Sequence, residues 1–208
     1  VKESEVTDML RGLAAKPALV ITDSQAVREV AAAVPEDIRL TTFSTLFARY
    51  KGDFAAQLAG AAAIDTLKDG DRVLIAEGCS HHVTCDDIGR VKIPNWMKKY
   101  TGRELKFEWT QGADFPDNLE DYALVVHCGG CMLNRAEVRR RINECARQGV
   151  KVTNYGIVIS KMQGVLERVV KGIADAGATG SVSDTGSISD TGSISDTGSI
   201  SDTGEEGD

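Results

Sequence analysis

The chain has 208 residues, and 42% of them are hydrophobic, which is enough for one large or two small domains with a buried core. Its formal net charge is −7, yet the seven acidic residues that follow Gly180 have no Lys or Arg among them. The preceding part therefore carries 24 acidic and 24 basic residues. This balance argues against proteins that bind nucleic acid or membrane surfaces through bulk positive charge.

The sequence shows no targeting or membrane signal. No run approaches the roughly 18 consecutive apolar residues that a transmembrane helix needs, and the first ten residues, VKESEVTDML, are too charged for a signal peptide. The chain does not begin with Met, so we expect a fragment or a processed product. We expect a cytoplasmic protein, whose five cysteines serve as ligands, catalysts or buried thiols rather than as disulfides.

The first 76 residues alternate predicted strands and helices. After a short helix over residues 1–12, strands are predicted over 16–23, 38–43 and 71–78, and helices over 24–34 and 44–67 with a break near Gly52. This alternation predicts a small parallel α/β unit.

The second half repeats the alternation. Strands are predicted over 105–110, 121–128 and 150–156, and helices over 134–148 and 160–174. The strand over 121–128 is apolar in its middle, which predicts a central position in the sheet. Asn134 with Glu137 three residues later forms a capping box for the first of these helices. Cys145 lies on the apolar stripe of that helix, so we expect it in the core.

The composition changes after Gly180, where the six-residue unit GS[IV]SDT repeats. One aliphatic side chain per repeat buries too little area to offset the chain entropy, so we predict a disordered acidic tail. The expected organisation is therefore a first α/β domain over 1–76, a second α/β domain over 77–178 and a tail over 179–208.

Cysteine and histidine are concentrated in two short windows. The three histidines, His81, His82 and His127, and four of the five cysteines lie in the sequences GCSHHVTC (78–85) and HCGGC (127–131). Each window follows a predicted strand. Because the carboxyl ends of parallel strands meet at one edge of a sheet, we expect the two loops to converge on a single site.

The chemistry of these windows leaves several readings open. Three cysteines and a histidine suit tetrahedral zinc, whereas three cysteines with an exchangeable fourth ligand suit a [4Fe–4S] cluster. A Cys-x-x-Cys before a helix is also the arrangement of a thiol–disulfide oxidoreductase, but no proline follows Cys131 to supply the cis-proline of that fold. The helix predicted after Asn134 directs its N-terminus at this turn, and we expect its dipole to lower the pKa of the thiols.

Taken together, three segments resemble a known family. The segments AEGCSHHVTCDDIGRVKIPNW, VVHCGGCMLNR and TNYGIVI are similar to the C-terminal part of HydF, the family of [FeFe]-hydrogenase maturation GTPases. The family's cluster motif is Cys-x-His followed, after about 45 to 55 residues, by His-Cys-x-x-Cys. Here 45 residues separate His81 from His127. The upstream segments VITDSQAV and LTTFSTLFARYKGDF resemble the family's dimerisation domain.

The resemblance implies a scaffold that binds a [4Fe–4S] cluster and carries the diiron precursor of the hydrogenase active site. It implies Cys79, Cys128 and Cys131 as cluster ligands, with His81 and His127 as candidates for the fourth position or for hydrogen bonds that tune the site. Implied partners are a second copy in a homodimer, or a tetramer, together with the hydrogenase and the radical-SAM maturases. The main alternatives are a zinc-binding interaction module and an iron–sulfur or dithiol redox protein.

One family feature is missing from this sequence. The 208 residues contain no GxxxxGK[ST] motif and no Gly-Lys pair, so we expect neither nucleotide binding nor enzymatic turnover by this chain.

The residues around the motif carry weaker expectations. We expect Cys85 to be a spare thiol, and Asp86 and Asp87 to cap or order the first loop. Asn154 and Tyr155 end a strand at the same sheet edge, so we expect them to contact the cluster pocket. The arginines of the helix after the second window form either a solvated face or a surface for the anionic precursor, with Arg135 as the candidate contact. These arginines are Arg135, Arg139, Arg140 and Arg141.

Overall fold

The computed structural model describes residues 1–79 and 87–174. The helices are α1 (Val6–Gly12), α2 (Val27–Ala33), α3 (Phe43–Lys51), α4 (Phe54–Ala62), α5 (Ile93–Thr101), α6 (Arg135–Arg147), α7 (Tyr155–Met162) and α8 (Leu166–Ala174). The strands are β1 (Val20–Thr22), β2 (Leu40–Thr42), β3 (Arg72–Ala76), β4 (Lys106–Thr110), β5 (Leu124–His127) and β6 (Lys151–Asn154). The expectations for His81, His82, Cys85, Asp86 and the repeat tail lie outside the described residues.

The strands form two parallel sheets, which confirms the predicted α/β class. Strands β1 and β2 pair in parallel as a two-stranded sheet. The other sheet has the order β4-β3-β5-β6, and each of its neighbouring pairs is parallel. Ala76, at the end of β3, lies opposite Thr110 on one side and His127 on the other. The carboxyl ends of β3 and β5 therefore meet at one edge.

The central strands are apolar on both faces because helices cover both sides of the sheet. Alternate residues of β3 and β5 pack into two separate apolar clusters, one that includes Ile93 of α5 and Ile159 of α7, and one that includes Ile142 of α6. All residues of β5 are buried, and β5 lies between β3 and β6, so its predicted central position is confirmed.

Helix α6 follows the local sequence signals closely. The side chain of Asn134 accepts a hydrogen bond from the amide of Glu137 at 2.8 Å, as the capping motif predicts. Cys145 is fully buried in the apolar cluster beneath α6, which confirms its predicted place in the core. Burial raises the pKa of its thiol to about 12, so it stays protonated at neutral pH.

Two other segments differ from their predictions. The strand predicted over 150–156 ends at Asn154, because the Asn154 side chain caps a new helix by accepting from the amide of Ile157 at 3.0 Å. Gly164, with φ of 75°, then separates α7 from α8 where one helix was predicted. Helix α5 was not predicted at all, and a π-helical turn over Ile88–Lys92 leads into it.

The first and last parts of the chain pack together. Strand β3 pairs with β4 and β5, although the predicted boundary after residue 76 groups it with the first unit. Helix α8 returns to β2, where a Cβ added at Gly172 would lie 2.1 Å from the carbonyl oxygen of Leu40. Both contacts join segments that lie on opposite sides of the predicted boundary.

Candidate metal centre

The start of the first cysteine window, Gly78 and Cys79, meets the second window at the edge formed by the ends of β3 and β5. Cys79 follows β3 by three residues, and Cys128 directly follows β5. The amide of Gly78 donates to the Sγ atom of Cys128 at 3.0 Å, and this bond joins the two loops directly. The predicted convergence is therefore confirmed for Cys79 and Cys128.

The thiol of Cys128 interacts with both other motif cysteines. The pKa of Cys128 is raised, chiefly by burial, and negative charge on Cys79 and Cys131 raises it further. The amides of Gly78 and Gly130 donate to its sulfur and oppose this effect. Burial outweighs the two amide donors, so the pKa of Cys128 is raised overall, and the expected lowering by the α6 dipole stays a prediction.

Glycines allow the turn to pack tightly. Gly130 has φ of 66°, a left-handed conformation that side chains other than glycine rarely adopt. A Cβ on Gly78 would lie 2.7 Å from the side chain of Leu133 and 3.4 Å from the Sγ atom of Cys128. A bulkier residue at Gly78 would therefore push the two cysteine loops apart, and one at Gly130 would strain the backbone of the turn.

The donor set suits a soft metal or an iron–sulfur cluster. Cys79 and Cys128 are half-buried and Cys131 is exposed, so the thiols line an accessible edge rather than a sealed core. Thiolates are the usual ligands of such clusters, and amide donors to sulfur are a known means of tuning them. Among residues 1–79 and 87–174, no group of three or more Cys, His, Asp or Glu side chains is already arranged to hold a metal ion.

His127 is buried beside the turn. Its Nδ1 atom lies 2.8 Å from the carbonyl oxygen of Cys128, which makes Nδ1–H the donor in a neutral ring. Burial lowers the pKa of His127 to about 4. Its Nε2 atom has no hydrogen-bond partner within the part of the chain that the structure describes. The His127 ring thus holds the backbone carbonyl of Cys128, and a role of His127 as the fourth ligand stays a prediction.

Asn154 and Tyr155, at the end of β6, form hydrogen bonds with residues next to the two cysteine loops. Asn154 is buried, and its Nδ2 atom donates to the carbonyl oxygen of Ser44 at 2.7 Å. The hydroxyl of Tyr155 donates to Oε1 of Glu77 at 3.4 Å, one residue before Gly78. Burial, with the charge on Glu77, raises the pKa of Tyr155 well above its ordinary value. Both side chains are engaged with the protein beside the loops.

Sequence reasoning missed a buried polar network at the start of the first loop. Glu77 is 1% exposed, and it accepts from Gln111 at 3.2 Å and from Arg90 at 3.4 Å. The signal available in the sequence was the charged residue Glu77 directly after the apolar strand β3, since a buried charge needs polar partners. The expected capping role is confirmed for Asp87, whose carboxylate accepts from the amides of Gly89 at 2.9 Å and Arg90 at 2.8 Å.

The arginines of α6 divide into two kinds. Arg135, Arg139 and Arg140 are exposed, whereas Arg141 is 1% exposed. Arg141 donates to Oε1 of Glu137 at 2.7 Å and to the carbonyl oxygen of Gly112 at 2.5 Å. Arg141 therefore ties α6 to the loop after β4.

A groove of about 560 Å³ opens beside the first cysteine window. Its lining includes Cys79, Gly112, Met132, Arg140 and Arg141. The groove thus brings a motif thiol together with Arg140 and Arg141 of α6 and with Glu137, which forms salt bridges with both arginines. Arg135 is absent from this lining and lies at the first position of the helix.

Comparison with models of known protein families shows which family the chain belongs to. Residues 55–172 match the Hydrogen maturase F tetramerization domain, and residues 1–52 match the Hydrogen maturase F dimerization domain. The chain belongs to the Hydrogen maturase F family. A search of curated proteins found no match to the chain.

Membership in the Hydrogen maturase F family confirms two of the sequence-based expectations. The chain is involved in hydrogenase maturation, and its two matched domains support self-association. Both matches are to oligomerisation domains of Hydrogen maturase F. Within residues 1–79 and 87–174, no helix is long and apolar enough to cross a membrane.

Proposed function

We propose that this chain binds a [4Fe–4S] cluster through Cys79, Cys128 and Cys131 and holds the diiron precursor for delivery to [FeFe]-hydrogenase. The radical-SAM maturases would supply that precursor. The observation that carries the proposal is the 3.0 Å hydrogen bond from the Gly78 amide to the Cys128 sulfur, which joins the two cysteine windows. Two parallel neighbouring strands fix this contact.

The residues around the thiols suit a carrier. When bound, the cluster supplies an iron with a coordination position that the three cysteines leave open. The amides of Gly78 and Gly130 would offset negative charge on the Cys128 sulfur. His81 and His127 remain candidates for a weak fourth contact, which cargo could replace.

The groove beside Cys79 suits an anionic cargo. Arg140 and Arg141 both line the groove, although Arg141 is almost fully buried. Glu137 neutralises one of these two positive charges, so one remains. A cyanide-bearing diiron unit is negatively charged and would be attracted there. Arg135 remains a candidate for cargo contact, and Asn154 and Tyr155 remain candidates for contact with the cluster pocket.

Anaerobic reconstitution with iron and sulfide tests the cluster. We expect about four irons per chain and a reduced-cluster signal in low-temperature EPR. Cys79→Ala should lose most of the iron and change the signal. Cys145→Ala is the matched control, because Cys145 is buried under α6, and its iron content should equal that of the wild type.

Two outcomes would contradict the proposed cluster binding. Tight zinc binding without cluster formation would instead indicate a zinc-binding interaction module. Thiol–disulfide exchange that depends on Cys128 and Cys131 but not on Cys79 would indicate a dithiol redox protein.

Delivery is tested separately, by mixing the chain loaded with diiron precursor with a hydrogenase that lacks its diiron unit. Hydrogenase activity should then appear, and its absence would refute the carrier role.

A further inference from the structure

A lysine outside both cysteine windows holds the second one in place. Lys51 is the last residue of α3. Its Nζ atom donates to the carbonyl oxygens of Gly130 at 2.9 Å, Cys131 at 3.1 Å and Leu133 at 2.7 Å. An ammonium group has three donors. All three are used on one turn of backbone, which is the turn that carries Cys131.

The rest of α3 lies along the same turn. A Cβ added at Gly129 would lie 3.0 Å from Oγ of Ser44, so the start of α3 packs closely on the Cys-Gly-Gly-Cys sequence. The Phe47 ring centroid lies 4.8 Å from Nζ of Lys51, which restricts the side chain to its present course. Helix α3 thus contacts the turn near both of its ends.

The charge of Lys51 is not neutralised nearby. Its partners on the turn are uncharged carbonyl groups, and within the described part of the chain no carboxylate forms a salt bridge with it. The ammonium group is within hydrogen-bond distance of the Cys131 backbone. Any negative charge gained on the thiolates of this turn would therefore be stabilised by Lys51.

We propose that Lys51 is a positioning residue for the cysteine turn, and that its charge raises the reduction potential of the bound cluster. The second part rests on the proposed cluster binding. One-electron reduction adds one negative charge to the cluster, and a nearby cation favours the more negative state. The electron comes from the external reductant, and no proton transfer by Lys51 is involved.

Three variants separate position from charge. Lys51→Met removes the charge and the hydrogen bonds, whereas Lys51→Arg keeps the charge. Arg49→Met removes one charge from an exposed position of the same helix and serves as the control. The first measurement is amide hydrogen exchange over residues 129–133 in the reduced, metal-free protein. We expect faster exchange in Lys51→Met than in the wild type and no change in Arg49→Met.

The second measurement is a dithionite titration of the reconstituted cluster, followed by EPR. We expect Lys51→Met to shift the equilibrium about tenfold toward the oxidised cluster, which is about 59 mV for a one-electron couple. Lys51→Arg should recover most of the shift, and Arg49→Met should leave the potential near that of the wild type. Lys51→Arg keeps the charge but cannot place three bonds from one nitrogen, so recovery of the potential in this variant would assign the shift to the charge of Lys51.

The possible failures are distinguishable. Equal potentials in the wild type and Lys51→Met would overturn the electrostatic role, and unchanged exchange over residues 129–133 would overturn the positioning role. If the wild type forms no cluster, the proposed function fails, while the exchange measurement still decides the positioning role. If Lys51→Met does not fold, the exchange over residues 129–133 is measured in Lys51→Arg instead. It should still be faster than in the wild type, because a guanidinium cannot reproduce three bonds from one nitrogen.

Discussion

Helix α4 lies so close to β6 that a single methyl group should destabilise the protein. A Cβ on Gly60 would lie 1.9 Å from the carbonyl oxygen of Val152 and 2.4 Å from its carbonyl carbon. To reach 3.0 Å, the limit for real Cβ contacts, helix and strand must separate by about 1.1 Å. The clashing atoms belong to the backbone, so no side-chain rotation can relieve the contact.

Two opposing effects set the magnitude for Gly60→Ala. Alanine improves helix propensity by about 1 kcal/mol. Overpacking against a backbone costs about 3 kcal/mol, the upper end of the usual range. The expected net loss in the free energy of unfolding is therefore about 2 kcal/mol. In urea, a loss of this size lowers the unfolding midpoint by about 1 M.

The control is the same substitution at the end of another helix. Gly12 ends α1, and an added Cβ there has no neighbouring atom within 4 Å. Gly12→Ala should stabilise the protein by up to about 1 kcal/mol. Urea unfolding followed by circular dichroism measures both variants. A Gly60→Ala protein as stable as the wild type would refute the clash argument, since propensity alone would then decide the outcome.

Three further predictions concern polar groups near the site. Asn134→Ala should cost about 1 kcal/mol in urea unfolding, because α6 loses its cap. Asp87→Ala should cost about 1–2 kcal/mol by the same assay, since two amides at the end of the first loop lose their acceptor. Hydrogen bonds from Arg140 and then Arg141 lower the pKa of Glu137 to about 2. Its stabilisation is therefore present above the unfolded pKa of about 4.3 and lost as the pH falls to 2. Glu137→Gln should cost about 1 kcal/mol at pH 7 and only a small part of that at pH 2, where half of the Glu137 carboxyls are protonated; an equal loss at both would contradict this assignment.

Local signals were sufficient for much of the fold. The cap at Asn134, the apolar stripe of α6 and the apolar run of β5 each depend on neighbours within a few residues, and each was predicted correctly. The meeting of the loop that begins at Gly78 with Cys128 was also predictable, because parallel neighbouring strands bring their carboxyl ends together.

Tertiary contacts decided the features that the sequence did not reveal. The segment after β6 contains β-branched residues that favour a strand, yet Asn154 caps a helix there while its amide group donates to Ser44, 110 residues earlier. The pKa of Cys128 depends on burial, which no local pattern reports. The bonds from Lys51 span about 80 residues, so nothing near Lys51 in the sequence points to the cysteine turn.

The contacts of the cysteine turn cross the division between the two matched domains. Lys51 belongs to the dimerization match over 1–52, whereas Gly130, Cys131 and Leu133 belong to the tetramerization match over 55–172. A segment that began after residue 76 would therefore keep the three cysteines but lose the cation that holds their turn. It would also expose the surface of α8 that packs on Leu40. The hydrogen bonds of Lys51 to the turn need both parts of the chain, so a change in the dimerization region can reach the candidate site through α3.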